Sequence, residues 1–321
     1  MKNSSIYVIL IFGILFSCKD SNTSKTQIKT IYDVVFRENL AGTYEKWSTG
    51  DNSYGYYYTY TDRGRGPEVT EEIMLSQDNF IVSEKITGVN YLKDSISENF
   101  TGTSSTASWK NPMSEDNGDF NGSQLYFRHD GSPAVYDILG QLLLKSEDKK
   151  ISLYPEGEVE LVDNFPLTLS DSTPVNLLMV KGLDMNPIYL WMQDSDMIAS
   201  ISGNLHIVRQ DFKEFRKELK SLQDTYEDNY LIKISKELSH QIDKAIIKNV
   251  NIFSPDGTIV YNQDVFIDGK VIQSIKPSKG KILNGTAQVI DGTGKTLLPG
   301  MFDMHTHNTK FRGLLHVAGG V

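Results

Sequence analysis

Alternation of apolar and polar positions runs through the first two thirds of the chain. Residues 40–47, 54–61, 71–75, 80–87 and 95–101 are short segments rich in Tyr, Thr, Val and Ile. Clusters of Gly, Asn, Asp and Ser such as Thr49-Gly50-Asp51-Asn52 separate them. This pattern predicts strands joined by turns. Tyr56-Tyr57-Tyr58-Thr59-Tyr60 predicts a strand with aromatic rings on both faces. After Ser132-Pro133 the period lengthens. Val135, Ile138, Leu139, Leu142 and Leu143 recur at helical spacing, predicting a short helix with proline at its first turn. Strands are expected again at 158–162, 175–183, 188–192 and 198–208. Residues 31–209 thus predict one antiparallel sheet, curled or folded over on itself around that helix.

The period changes a second time at Asp211. Phe212, Phe215, Leu219, Leu222 and Tyr226 follow at steps of three and four. They predict a connecting helix or helices within 210–243, with Asp211 as N-cap and a helical piece through Leu231, Ile234 and Leu238 that either continues the first or follows it. Strand patterns return at 245–253, 262–267, 271–275, 287–291 and 296–298. Ser254-Pro255-Asp256-Gly257 and Asp268-Gly269 supply turns. These strands make a small β domain over 244–298. Pro299-Gly300 then breaks the pattern, and residues 301–307 are expected to be extended. The predicted class is mixed and mostly β.

The segment after that break carries the candidate chemistry. In an extended chain, residues i and i+2 share a face, so His305 and His307 point the same way about 7 Å apart, with Asp303 in line. Two neutral imidazoles on one face can hold a metal ion. A bare His-x-His is usually an ordinary pair; the Pro-Gly break and the preceding aspartate single this one out. Leu298-Pro299-Gly300-Met301-Phe302-Asp303-Met304-His305-Thr306-His307 resembles the first-strand signature of the amidohydrolase superfamily, nearest its imidazolonepropionase-like branch. Met301-Phe302 stand where that family usually has two other apolar residues. The upstream meander, with its Asp291-Gly292-Thr293-Gly294-Lys295 hairpin, resembles the family's small β domain.

The resemblance implies that residues 299–321 begin a metal-dependent TIM barrel. It implies His305 and His307 as ligands of a catalytic divalent metal, zinc being the expected ion, with one or two ions in the complete enzyme. Asp303 would fix the geometry of the ligands. The implied reaction is hydrolysis of a C–N bond in a cyclic amide or peptide-like small molecule. Such chemistry needs a Lewis acid that lowers the pKa of bound water to about 7 and polarises the scissile carbonyl. Catalytic zinc takes about three protein ligands, and the family places the others, a carboxylated Lys or a Glu, two His and an Asp, on later strands. A barrel takes about 250 residues, whereas 14 follow His307. The expectation is therefore the front portion of a larger enzyme, without a complete catalytic set. His316 is expected on the first barrel helix, outside the catalytic set.

Other motifs carry less. Asp62-Arg63-Gly64-Arg65-Gly66-Pro67 reads as a hairpin turn, because a phosphate loop would continue into Lys-Ser/Thr and a helix. Gly292-Thr293-Gly294-Lys295 fails as a nucleotide loop because its glycine spacing is wrong and no helix follows. His129 and His206 stand alone and are expected to be structural or exposed. Residues 31–209 are similar to the β-rich N-terminal extension of some secreted bacterial amidohydrolases, through Thr61 to Pro67 and Thr106-Ala107-Ser108-Trp109-Lys110. The curled sheet is also similar to lipoprotein-carrier folds. A second reading is therefore a lipid-anchored binding module that holds a hydrophobic ligand and catalyses nothing.

Composition adds compartment. The chain is 39% hydrophobic and 23% charged, as in folded proteins, and its net charge of −9 argues against an electrostatic nucleic-acid binder. Cys18 is the single cysteine, so no intramolecular disulfide forms. Met1-Lys2 precedes an apolar run over 6–16, which is shorter than the roughly 20 residues of a membrane span. Leu15-Phe16-Ser17-Cys18 resembles a lipobox. The expectation is a lipoprotein signal peptide over 1–18, lipidation at Cys18, a polar tether over 19–30, and a lipid-anchored place in the cell envelope. Oligomeric state is open.

Overall fold

The computed structural model describes residues 28–280, 286–307 and 309–319. The expected signal peptide, Cys18 and most of the tether lie outside the described residues. Fifteen strands make the larger sheet. The first eight are β1 (Lys29–Phe36), β2 (Asn39–Gly50), β3 (Ser53–Tyr60), β4 (Glu68–Leu75), β5 (Ile81–Val89), β6 (Ser95–Gly102), β7 (Thr106–Lys110) and β8 (Glu115–Asp119). Then come β9 (Leu125–Tyr126), helix α1 (Ala134–Lys145), β10 (Lys150–Tyr154), β11 (Glu158–Thr168), β12 (Pro174–Lys181), β13 (Ile188–Gln193), β14 (Asp196–Ser202) and β15 (Leu205–Arg209). Each run is a meander, and the two join where β1 pairs antiparallel with β15, Tyr32 opposite Arg209. Among the described strands of this sheet, only the short β9–β10 pair is parallel.

The sheet curls with α1 inside, as the apolar pattern predicts. Ala134, Val135, Ile138, Leu139, Leu142 and Leu143 of the helix share one core with Tyr44, Tyr56, Ile73 and Phe100 from one run and Leu153, Leu178 and Leu190 from the other. The two ends of the curl meet through side chains: the Tyr154 hydroxyl donates to the Ala107 carbonyl at 3.2 Å, and Phe120 packs edge-on against Tyr154.

Burial explains why the two runs read differently. In β4 and β6 buried and exposed residues alternate strictly, because one face meets the core and the other meets water. β12 and β13 are buried almost continuously. Their Leu178, Val180, Leu190 and Met192 face α1, whereas Leu177, Met179, Tyr189 and Trp191 form a second core on the convex side. That second core is covered by a 3-10 turn (Gln210–Phe215) and helix α2 (Arg216–Leu238), which bring in Phe212, Leu219 and, partly buried, Tyr226. Gln223 of α2 ties the layers: its Oε1 accepts from Trp191 Nε1 at 3.2 Å and its Nε2 donates to the Ile201 carbonyl at 3.0 Å.

Two sequence expectations change. The single strand expected over 198–208 is two strands, β14 and β15, turning at Gly203-Asn204 with Gly203 at φ 54°. Asp211 does not cap a helix; its carboxylate takes both Arg209 nitrogens at 2.8 and 2.9 Å, and the chain enters α2 through the 3-10 turn. The helix or helices expected within 210–243 are one continuous helix, α2. The sequence reading also missed β1 and β7 to β10.

A five-stranded sheet follows: β16 (Lys244–Phe253), β17 (Ile259–Asp268), β18 (Val271–Pro277), β19 (Gln288–Asp291) and β20 (Thr296–Leu297). β16 runs antiparallel to β17 and parallel to β19 and β20. A bulge in β16 puts Asn249 at φ 55°, and the buried Asp264 carboxylate accepts its N–H at 2.9 Å. Helix α3 (Lys310–Gly319) ends the described chain.

Candidate metal-ligand pair at His305 and His307

The approach to the pair is a tight hairpin. Asp291 Oδ1 accepts from both the backbone N–H and the hydroxyl of Thr293, at 2.9 and 2.6 Å. The Thr293 hydroxyl and N–H hold the Asp291 carboxyl below its ordinary pKa. The Gly292 N–H donates to the Lys248 carbonyl and the Lys295 carbonyl accepts from the Asn251 N–H, which locks the hairpin to β16. The chain then leaves the sheet at Leu298-Pro299-Gly300.

Residues 301–307 are not a strand. They are exposed and bend, which corrects the expected extended barrel strand. No described strand runs beside them, so a straight segment would have no ladder for its N–H and C=O groups. Instead Asp303 Oδ1 accepts the His305 N–H at 3.0 Å and closes a local turn. That turn swings the imidazoles together. His305 Nε2 and His307 Nε2 lie 3.2 Å apart, with ring centroids at 5.3 Å. The separation suits a shared ion: two nitrogens each 2.0–2.1 Å from a tetrahedral zinc sit about 3.3 Å apart. The pair fits two corners of such a site.

Asp303 reaches this pair through the His305 backbone; no described hydrogen bond joins it to either ring. Its other oxygen lies 4.0 Å from His316 Nε2, and the Thr306 hydroxyl is 3.4 Å from the same nitrogen. His316 is on α3, as expected. Among the described residues no group of three or more His, Cys, Asp or Glu side chains is placed to hold a metal.

The segment beyond the pair is held from the β-rich side. Lys310 Nζ pairs with Asp228 at 2.6 Å, with Glu227 at 3.5 Å and with Asp224 at 3.7 Å, all on α2. Thr309 donates to Asn186 Oδ1 at 2.9 Å, and Phe311 packs against Tyr230 with centroids 6.1 Å apart. Arg312 Nη1 donates to the His307 carbonyl at 3.2 Å.

The remaining candidates are structural. Asp62 and Arg65 exchange backbone hydrogen bonds at 2.8 and 2.9 Å, making the expected hairpin. His206 is buried between the Gly203 carbonyl and Arg216, and burial lowers its pKa. His129 is near the surface, with Nε2 3.2 Å from Met113 Sδ. The sequence reading missed charges inside the curl. Lys46 Nζ pairs with buried Asp137 of α1 at 2.6 Å; burial opposes its charge, but the carboxylate more than offsets this and raises its pKa. Arg128 lies buried against Glu71 and Glu84, and buried Glu98 accepts the N–H groups of the next two residues, His129 and Asp130. The signal was present in the alternation. Glu71 is in phase with Val69 and Ile73, Glu84 with Ile86, and Glu98 with Ile96 and Phe100, so all three point inward.

No protein-family model matches the chain. Over 64 residues it is 36% identical to a dihydroorotase of Elusimicrobium minutum, covering 20% of this chain and 14% of that protein. A dihydroorotase of Streptococcus thermophilus is 39% identical over 62 residues, again 14% of its length. A 5-methylthioadenosine/S-adenosylhomocysteine deaminase of Dictyoglomus turgidum is 36% identical over 72 residues, 22% of this chain and 16% of the relative. The matched stretch thus spans about a seventh of the dihydroorotases. Among solved structures, a β-barrel-like protein of a domain of unknown function from Brucella abortus covers 56% of this chain and 93% of its own, at 10% identity and a TM-score of 0.35. Both relatives' names belong to the amidohydrolase superfamily, and the likeness is to hydrolases of that group over about a fifth of the chain.

Proposed function

We propose that residues 244–319 form the entry to a metal-dependent amidohydrolase domain, in which His305 and His307 hold a divalent ion, zinc in the first place. The 3.2 Å approach of the two Nε2 atoms carries this reading. The bound ion would supply Lewis-acid chemistry toward water and a carbonyl, for hydrolysis of a C–N bond in a cyclic amide or peptide-like substrate. The chain's own part is orientation. Asp303 fixes the turn through the His305 N–H, and Arg312 holds the His307 carbonyl, so both rings present Nε2 to one point. The other ligands that catalysis needs lie outside this pair, and the pair alone is one edge of a site. The β-rich domain, tethered through a lipidated Cys18 in the cell envelope, would carry this entry. The binding-module reading is the less favoured, because α1 and aromatic side chains fill the inside of the curl.

Calorimetric titration of this chain with zinc tests the assignment. We expect one binding event that His305→Ala or His307→Ala weakens at least tenfold and that His129→Ala leaves unchanged. Equal affinity in the parent and both ligand variants would overturn it.

A further inference from the structure

Inside the curl, two carboxylates converge on one guanidinium and a third lies close by. Arg128 Nη1 donates to Glu84 Oε1 at 2.7 Å, and Nη2 donates to the Ser132 carbonyl at 2.7 Å and lies 3.0 Å from Glu71 Oε1. The Arg128 side chain folds back over Gly131, where a Cβ would fall 2.1 Å from its Nε. Glu98 is provided for separately: Tyr126 donates to it at 2.5 Å, and the His129 and Asp130 N–H groups donate at 3.1 and 3.4 Å. Glu71 Oε2 takes the Ser132 N–H at 2.8 Å. Two oxygens remain. Glu71 Oε1, near Arg128 but not aligned with its N–H, and Glu84 Oε2 are buried and receive no hydrogen bond.

Both are acceptors when ionised, and Glu71 (opposite Ile86) and Glu84 (opposite Ile73) stand diagonally on the paired strands β4 and β5 and meet the same guanidinium at 3.0 and 2.7 Å. One proton between them satisfies both. It also leaves two negative charges against one positive, with the second anion held by Tyr126 and two N–H groups. We propose that Glu71 and Glu84 share a single proton in the folded protein, and that this proton latches β4 to β5 beneath Arg128 and the 127–132 segment. The other charged and titratable groups facing the cluster are Tyr44, Tyr56 and Tyr136, with the Lys46–Asp137 pair beyond. Burial raises the pKa of each phenol, so all three stay neutral while the latch titrates.

Loss of the proton places two adjacent anions beside Arg128. The 127–132 segment leads into α1 and walls a cavity of about 390 Å³ lined also by Tyr58, Tyr136 and Ser200. Deprotonation therefore sets β4 against β5 beneath that wall. The sign follows from Glu84, whose carboxyl is raised well above its ordinary range, first by burial and then by Glu71. A proton held more tightly in the folded state stabilises fully below the ordinary Glu pKa, and this contribution is lost as pH rises through the raised value.

Carbon-13 NMR of the full chain labelled at the glutamate side-chain carboxyl tests the proposal. One resonance should keep the position of a protonated acid at neutral pH, disappear in Glu84→Gln, and persist in Glu98→Gln. Glu84→Gln mimics the protonated acid, so its Tm should fall less than the parent's between mildly acidic and mildly alkaline buffer. A parent spectrum with every glutamate ionised at neutral pH overturns the shared proton, whether or not the variant folds. A Glu84→Gln protein with an unchanged fall in Tm overturns the latch.

Discussion

Arg128 and Lys29 both pair with carboxylates, yet their surroundings set different values on the contact. Lys29 lies 2.6 Å from Glu45 at the surface, where water and salt screen it. Arg128 is buried with Glu71 and Glu84, and removing it leaves charge with no solvent to turn to. Arg128→Met should destabilise the fold by about 3–5 kcal/mol, and Lys29→Met by less than about 1 kcal/mol. Urea unfolding of the two variants checks the contrast, and similar midpoints would mean that the buried network is not formed. This network was written in the alternation of β4 to β6, since three glutamates occupy inward positions. Which partner they meet was not legible. Arg128 arrives from a loop 30 residues after Glu98, and nothing periodic marks it.

At the scale of elements, helix α1 is the filling of the curl and α2 is a brace on its back. Leu139 is fully buried, so Leu139→Ala should cost about 2–5 kcal/mol. Ile232, in the outer half of α2, is 51% exposed, and Ile232→Ala should stay within about 0.5 kcal/mol. Thermal unfolding of both checks the assignment, and a large loss at Ile232 would show that the outer half of α2 is covered. Both helices were visible as changes of period, because each lays one stripe against the sheet. Strands with one wet face were equally visible. Residues 198–208 misread because β14 and β15 are buried on both faces, so apolar residues run up to the turn and only Gly203-Asn204 marks it. The 301–307 segment misread for another reason. Extended structure depends on neighbouring strands, and no local pattern reveals their absence.

For the whole molecule, attachment is the question that biochemistry answers most directly. No helix among the described residues is long and apolar enough to cross a membrane, and the proposed anchor is Cys18. Cys18→Ser should move the protein from the membrane to the soluble fraction on cell fractionation. An unchanged membrane fraction would end that proposal. The seam at β1 and β15 has a consequence of its own. Tyr32 faces Arg209 across it, so the first strand finds one neighbour at once in β2 and the other only after the rest of the sheet has been made. During synthesis the open edge of β1 is a strand without a partner, and pairings this distant in sequence close slowly. A chain emerging residue by residue therefore has to stay unpaired along that edge until its two hundredth residue is out, which makes the newborn protein, rather than the finished one, the form most in need of a chaperone.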